Sequence, residues 1–191
     1  MQIDFSQCTV EELWQYVASH LEQDGISAVL VGGAVATVYT NGAYSTGDLD
    51  MVASLIVDAR KIEKSMAKIG FRKDKIRHFQ HPDCPHLYLE ISRAIISIGE
   101  QTNIRPDVWD IENVKIKILS PTDCVKDRLA SYIHSQGSHD CVELAALVAA
   151  QQSVNLEEIE AWCKQEKSSI TPHLTGQTAF KDFLSALKRL K

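Results

Sequence analysis

The sequence predicts an α+β fold: a mixed sheet with flanking helices through residue 119, followed by an all-helical domain over residues 120–191. Three observations predict it. Short apolar or alternating runs at 28–31, 49–52, 87–91 and 114–119 have the length and period of strands. Stretches of helical period lie between them. After Ser120-Pro121-Thr122-Asp123 the strand signals stop, and the apolar residues recur only at helical spacing.

Thr9-Val10-Glu11-Glu12 is a capping-box pattern, and Leu13, Trp14, Val17 and Leu21 follow at helical spacing up to a stop at Gly25. Ala28-Val29-Leu30-Val31 reads as a short buried strand that runs into Gly32-Gly33. A short helix over 34–40 follows, then a loop from Asn41-Gly42 and a strand over 49–52. Asp58 is placed to cap a helix that ends near Gly70. Residues 71–80 are expected to be extended, and Pro82-Asp83-Cys84-Pro85 to form a turn. Leu87, Leu89 and Ile91 alternate with His86, Tyr88 and Glu90, as on a half-buried strand. Ser120, Pro121 and Asp123 combine a cap serine, proline at the first helical position and an acid three residues after the cap. Helices are expected over 121–134, 139–151, 155–166 and 179–190.

The chain has 191 residues, with 45% hydrophobic and 24% charged, enough apolar surface for a packed core and too much for a largely disordered chain. Its net charge is −5, from 20 Lys and Arg against 25 Asp and Glu. There is no strong charge signature for nucleic acid, so contact with such a polymer would have to be local. Asp4 stands where a secretory signal would carry basic residues, and no apolar run reaches the roughly 20 residues of a membrane helix. The five cysteines (Cys8, Cys84, Cys124, Cys141, Cys163) are scattered and never in CxxC spacing. The expectation is reduced thiols in a cytoplasmic protein without membrane partners.

Three places can carry chemistry. At Gly32-Gly33, between a strand and a helix start, backbone N–H groups can face a phosphate; the alternative is a tight turn without a ligand. In Ser45-Thr46-Gly47-Asp48-Leu49-Asp50-Met51, Asp48 and Asp50 project from one face of a strand. Two such acids repel unless a cation lies between them, and hard oxygen ligands select Mg2+ or Mn2+; the alternative is a solvated strand edge. Glu90 is the third, an acid within an otherwise apolar strand, set either toward water or beside Asp48 and Asp50.

Taken in order, strand, Gly-Gly, helix, Thr-Gly-Asp-Leu-Asp and a later isolated acid resemble the nucleotidyltransferase superfamily with the DNA polymerase β-like fold. The nearer resemblance is to small bacterial nucleotidyltransferase-like proteins related to the toxins of abortive-infection toxin–antitoxin pairs. Leu30-Val31-Gly32-Gly33-Ala34 looks like that group's opening motif, and the stretch from Ser120 through Lys126 to Ala130 looks like its second-domain helix. The resemblance spans about residues 28–149. It implies that Gly32 and Gly33 hold the nucleotide's phosphates, with Thr46 a further nucleotide-binding candidate. It implies that Asp48 and Asp50 bind the divalent ions, and that Glu90 is the third carboxylate, as ligand or base. Lys126 matches a helix lysine that faces the nucleotide, from a position bordering the apolar stripe Val125, Leu129, Ile133, and Asp140 lies near an expected second-domain acid. The implied reaction moves a nucleoside monophosphate from an NTP to a hydroxyl on RNA, a protein or a small molecule, and the resemblance extends to a toxin role with an antitoxin partner. The alternative is a retired relative that acts by binding.

Other groupings are weaker. His78, His81, Cys84 and His86 crowd together as zinc ligands do, but their spacing fits no zinc signature, and the expectation is surface histidines beside a turn. His134, His139, Asp140 and Cys141 are read as a polar helix–helix turn. Trp14, Trp109 and Trp162 are read as packing residues, and Lys188-Arg189-Leu190-Lys191 is too short to bind nucleic acid.

Overall fold

The computed structural model describes residues 2–74, 77–134, 138–167 and 174–190. The chain divides into two compact units, one of residues 1–38, 45–96 and 106–119, the other of 39–44, 97–105 and 120–191. Among the described residues, no helix is long and apolar enough to cross a membrane.

The first unit is built on one seven-stranded sheet. Its strands are β1 (Ala28–Val31), β2 (Asp48–Ala53), β3 (Arg72–Lys73), β4 (His78–His81), β5 (Cys84–Arg93), β6 (Asp107–Ile111) and β7 (Val114–Ile118), in the spatial order β3-β4-β5-β2-β1-β7-β6. The β1–β7 and β2–β5 pairs are parallel and the others antiparallel, so the sheet is mixed as expected. Helix α1 (Val10–Gln23) starts at the expected capping box: Glu12 N–H donates to Thr9 Oγ1 at 3.2 Å, and Thr9 N–H donates to Glu12 Oε2 at 2.8 Å. Its buried face, Leu13, Trp14, Val17 and Leu21, packs toward β1 and β7. There Trp14 meets Trp109 edge-on, with centroids 5.3 Å apart. Helix α2 (Gly33–Tyr39) follows β1 directly, and α3 (Ala59–Lys68) is capped by Asp58, whose carboxylate accepts from Arg60 N–H at 2.9 Å.

Two expectations need correction. The turn expected over 82–85 is only Pro82-Asp83. Cys84 already pairs with His81 and opens β5, because a two-residue connection lets antiparallel neighbours pair at once. Strand β6 escaped the sequence reading. It is an edge strand with Asp107, Val108 and Asp110 exposed, so it lacks a clean alternation. Its hairpin with β7 turns at Glu112 and Asn113, both at positive φ (49° and 67°), as a two-residue primed turn requires.

The second unit holds α4 (Pro121–His134), α5 (His139–Gln151), α6 (Leu156–Gln165) and α7 (Gly176–Leu190). Val125, Leu129 and Ile133 of α4, Ala145 and Val148 of α5, Ile159 of α6 and Phe183 of α7 supply its buried residues. Ser120 caps α4 as expected, accepting from Asp123 N–H at 3.1 Å. Helix α7 begins three residues before its expected start, at Gly176. A Cβ there would lie 1.9 Å from the Cys163 carbonyl oxygen, so only glycine permits this approach to α6.

Candidate functional site

Strand β2 carries the two aspartates. Leu49, Met51 and Ala53 are buried on one face, which leaves Asp48 and Asp50 half-buried on the other. The parallel ladder to β5 sets Asp48 beside Tyr88 and Asp50 beside Glu90. Neighbouring residues in register project from the same face of a sheet, so the three acids share one face. On its other side β2 pairs with β1, where Val31 stands opposite Asp50. The chain leaves β1 at Gly32 with φ of +72°, and a Cβ on Gly32 would lie 2.8 Å from Asp50 Oδ2. The glycine therefore lets backbone close over this carboxylate in a conformation that side chains resist. Gly33 is the first residue of α2.

Hydrogen bonding holds the rim. The Thr46 hydroxyl donates to Asp48 Oδ1, and Asp48 N–H donates back to Thr46 Oγ1 at 3.4 Å. Arg77 Nε lies 2.9 Å from Glu90 Oε2. Sequence reasoning missed Arg77, because a lone arginine in a charged stretch carries no pattern. The carboxyl oxygens of Asp48, Asp50 and Glu90 do not lie within 4.8 Å of one another as a set. Among the described residues, the three side chains whose ligand atoms do so are Cys8, Cys84 and His86. The acids' donor chemistry nevertheless fits a hard divalent cation: carboxylates from adjacent strands, on one face, beside backbone that only glycine can form.

The two candidates in the second unit lie in different surroundings. Lys126, expected to border an apolar stripe and to face the nucleotide, is 1% exposed. Its ammonium donates to Asp123 Oδ1 at 3.2 Å, to Glu158 Oε1 at 2.5 Å and to Gln101 Oε1 at 3.5 Å. One turn of helix brings Asp123 to it, and α6 brings Glu158, so paired carboxylates make its burial tolerable. Asp140 is exposed in the first turn of α5. Of the polar turn beside it, residues 135–137 lie outside the described residues. His134 Nε2 pairs with the buried Glu166 at 3.1 Å.

No family model matches the sequence, and no curated protein matches it. Solved structures do. A nucleotidyltransferase-like protein from Paracoccidioides brasiliensis, described as antigenic, superposes with a TM-score of 0.63 at 20% identity, over 96% of this chain and 94% of that one. The chain has the nucleotidyltransferase-like fold. Two further solved structures superpose on the chain. The antibiotic-resistance factor ANT(2'')-Ia in solution gives a TM-score of 0.56 at 13% identity, over 98% of this chain and 97% of that one. The lincosamide antibiotic adenylyltransferase LnuA, with lincomycin bound, gives 0.50 at 16% identity, over 73% of this chain and 98% of that one.

Proposed function

We propose that this protein is a divalent-cation-dependent nucleotidyltransferase that moves a nucleoside monophosphate from an NTP to a hydroxyl. The observation that carries the reading is the register of β2 and β5, which sets Asp50 against Glu90 with Asp48 two residues earlier on the same face. Three acids on one face repel one another, and a cation is what makes such a grouping favourable. The fold shared with LnuA, an adenylyltransferase, supports the same reaction class.

Asp48 and Asp50 would hold Mg2+ or Mn2+, which supplies charge neutralisation for the triphosphate and the departing pyrophosphate. The Thr46 hydroxyl fixes the Asp48 carboxylate through its hydrogen bond. The positive-φ turn at Gly32 and the following Gly33 leave room for phosphate oxygens to approach backbone N–H groups. The acceptor's hydroxyl oxygen attacks the α-phosphorus and the bond to the β-phosphate bridging oxygen breaks. Pyrophosphate departs with that electron pair, and Glu90 takes the hydroxyl proton once Arg77 is displaced. Catalysis is then mainly positioning and electrostatics. The family resemblance implies nucleotide-binding roles for Lys126 and Asp140, and nucleotide titration of their alanine variants tests them separately; for Lys126 the role requires that its ammonium leave Asp123 and Glu158. The free cysteines among the described residues fit a reducing compartment.

The acceptor hydroxyl belongs to RNA, a protein or a small molecule, and a toxin role with an antitoxin partner is one form of the first two. The test incubates the chain with each labelled NTP, Mg2+ or Mn2+, and cell extract, then assays RNA, protein and metabolite fractions. Label transferred by the parent and not by Asp50→Asn supports the reading. Absence of transfer with all four NTPs and both metals favours a protein that acts by binding. Growth arrest on expression of the parent but not of Asp50→Asn is the outcome expected of a toxin.

A further inference from the structure

The fold gathers a second cluster of ligating side chains, in the first unit and apart from the carboxylates. Cys8, just before α1, comes to the start of β5. Its Sγ lies 3.7 Å from Cys84 Sγ, and Cys84 Sγ lies 4.0 Å from His86 Nδ1. The three ligand atoms are all within 4.8 Å of one another. Of the sequence grouping His78, His81, Cys84 and His86, only Cys84 and His86 take part. His78 pairs with Asp74 at 3.0 Å. His81 stacks on Phe5 with centroids 3.8 Å apart, while its Nδ1 accepts from Asp83 N–H at 3.1 Å.

We propose that Cys8, Cys84 and His86 form a Zn2+ site. Two sulfurs bound tetrahedrally to one zinc at about 2.3 Å lie about 3.8 Å apart, and a sulfur and a nitrogen about 3.5 Å apart. The thiol pair already stands at that separation, and His86 Nδ1 is about 0.5 Å farther from Cys84 Sγ than a shared zinc would set it. The histidine's tautomer is fixed in the sense that ligation requires. His86 Nε2 lies 3.1 Å from the Cys8 carbonyl oxygen, which can only accept. Nε2 therefore carries the proton, and in the neutral ring Nδ1 presents a bare lone pair toward Cys84. A ligating histidine that donates its other N–H to a backbone carbonyl is the usual outer-shell arrangement of metal sites. Here that carbonyl belongs to another ligand, so the two groups orient each other.

The donor set also selects the metal. Two thiolates and an imidazole suit zinc and are poor ligands for Mg2+, which favours oxygen. Cys8 and Cys84 are buried, while His86 is exposed and marks the side from which the ion enters. Each zinc that binds displaces two thiol protons, one from each cysteine, which leaves a site of zero net charge. Because each ion must displace those protons, affinity rises with pH. The ion would tie the segment before α1 to β5, joining parts of the chain 76 residues apart.

The test uses the full chain, reduced and freed of metal, with saturating Mg2+ present to occupy the carboxylates. Zinc is titrated in competition with a chromogenic chelator, and cobalt(II) is used as the spectroscopic stand-in. Expected are one equivalent per chain, a thiolate-to-cobalt charge-transfer band and tetrahedral d–d bands. His86→Ala changes an exposed residue and keeps the fold; it should weaken zinc at least about tenfold. Cys8→Ser should remove the charge-transfer intensity of one thiolate. The proposal is overturned if the reduced parent refuses zinc, if cobalt binds without thiolate bands, or if His86→Ala binds zinc as the parent does. A Cys8–Cys84 disulfide in the oxidised chain, together with refusal of zinc by the reduced chain, assigns the pair to redox chemistry instead.

Discussion

Asp50 and Glu90 stand directly opposite each other in the β2–β5 ladder, one acid from each strand at the same level of the sheet. Asp50 also carries the oxygen that a Cβ on Gly32 would strike. A single carboxylate is thus tied by register to a second acid and by contact to the glycine turn.

Asp50→Asn and Glu90→Gln should each lower transfer at least about a hundredfold, since a carboxylate that holds a catalytic ion or takes the proton is worth several kcal/mol in the transition state. Both changes are nearly isosteric at half-buried positions, so the denaturation midpoint should move little. Steady-state rates and urea melts on the same preparations check this. A variant that keeps its parent's rate removes that acid from the reaction.

Gly32→Ala should both destabilise the first unit and reduce activity. The positive φ costs a side chain about 1–2 kcal/mol, and the added carbon meets Asp50 Oδ2 at 2.8 Å, so the carboxylate must move. The expected result is a lower midpoint together with weaker Mn2+ binding. A loss of stability with metal affinity unchanged would show that Asp50 does not hold the ion.

Lys126→Ala should cost about 3 kcal/mol of stability, because it strands the buried Asp123 carboxylate beside an empty volume. Glu158 is half exposed and can turn to water, so Glu158→Gln should cost less. Chemical denaturation compares the two. A change under about 1 kcal/mol in Lys126→Ala would mean that the pair contributes only as a surface ion pair does.

The Tyr132 hydroxyl donates to Asp182 Oδ2 at 2.9 Å, and burial together with this carboxylate raises its pKa from 10.0 to about 12. The folded chain therefore keeps the proton at pH values where the unfolded chain has lost it. The contribution to stability is full below pH 10 and disappears as pH rises toward 12. Tyr132→Phe should lose about 1 kcal/mol at neutral pH and show a shallower decline over that alkaline window. Denaturation midpoints measured across it, for both proteins, supply the check.

Local signals carried the element order. The Thr9–Glu12 box, the Asp58 cap and the Ser120-Pro121 start act within one turn of chain, and the structure begins helices at each. The alternation in β2 and β5 likewise told which residues face the core, so Asp48, Asp50 and Glu90 could be singled out from sequence. Strand β6 was illegible because an exposed edge strand needs no apolar alternation.

What the sequence determined by itself is what short-range physics fixes: caps, turns, periodicity and the face on which each acid projects. Only the tertiary structure decided which strand lies beside which. Register set Glu90 against Asp50, and no spacing along the chain encodes that pairing. Helix packing brought Glu158 to Lys126, a buried ion pair that no spacing along the chain encodes. The path of the N-terminal segment brought Cys8 to Cys84 and His86, whereas the sequence had grouped those two with the wrong histidines. Contacts between residues far apart in sequence depend on how all the elements bury their apolar faces together, and that is a property of the whole chain, not of any window within it.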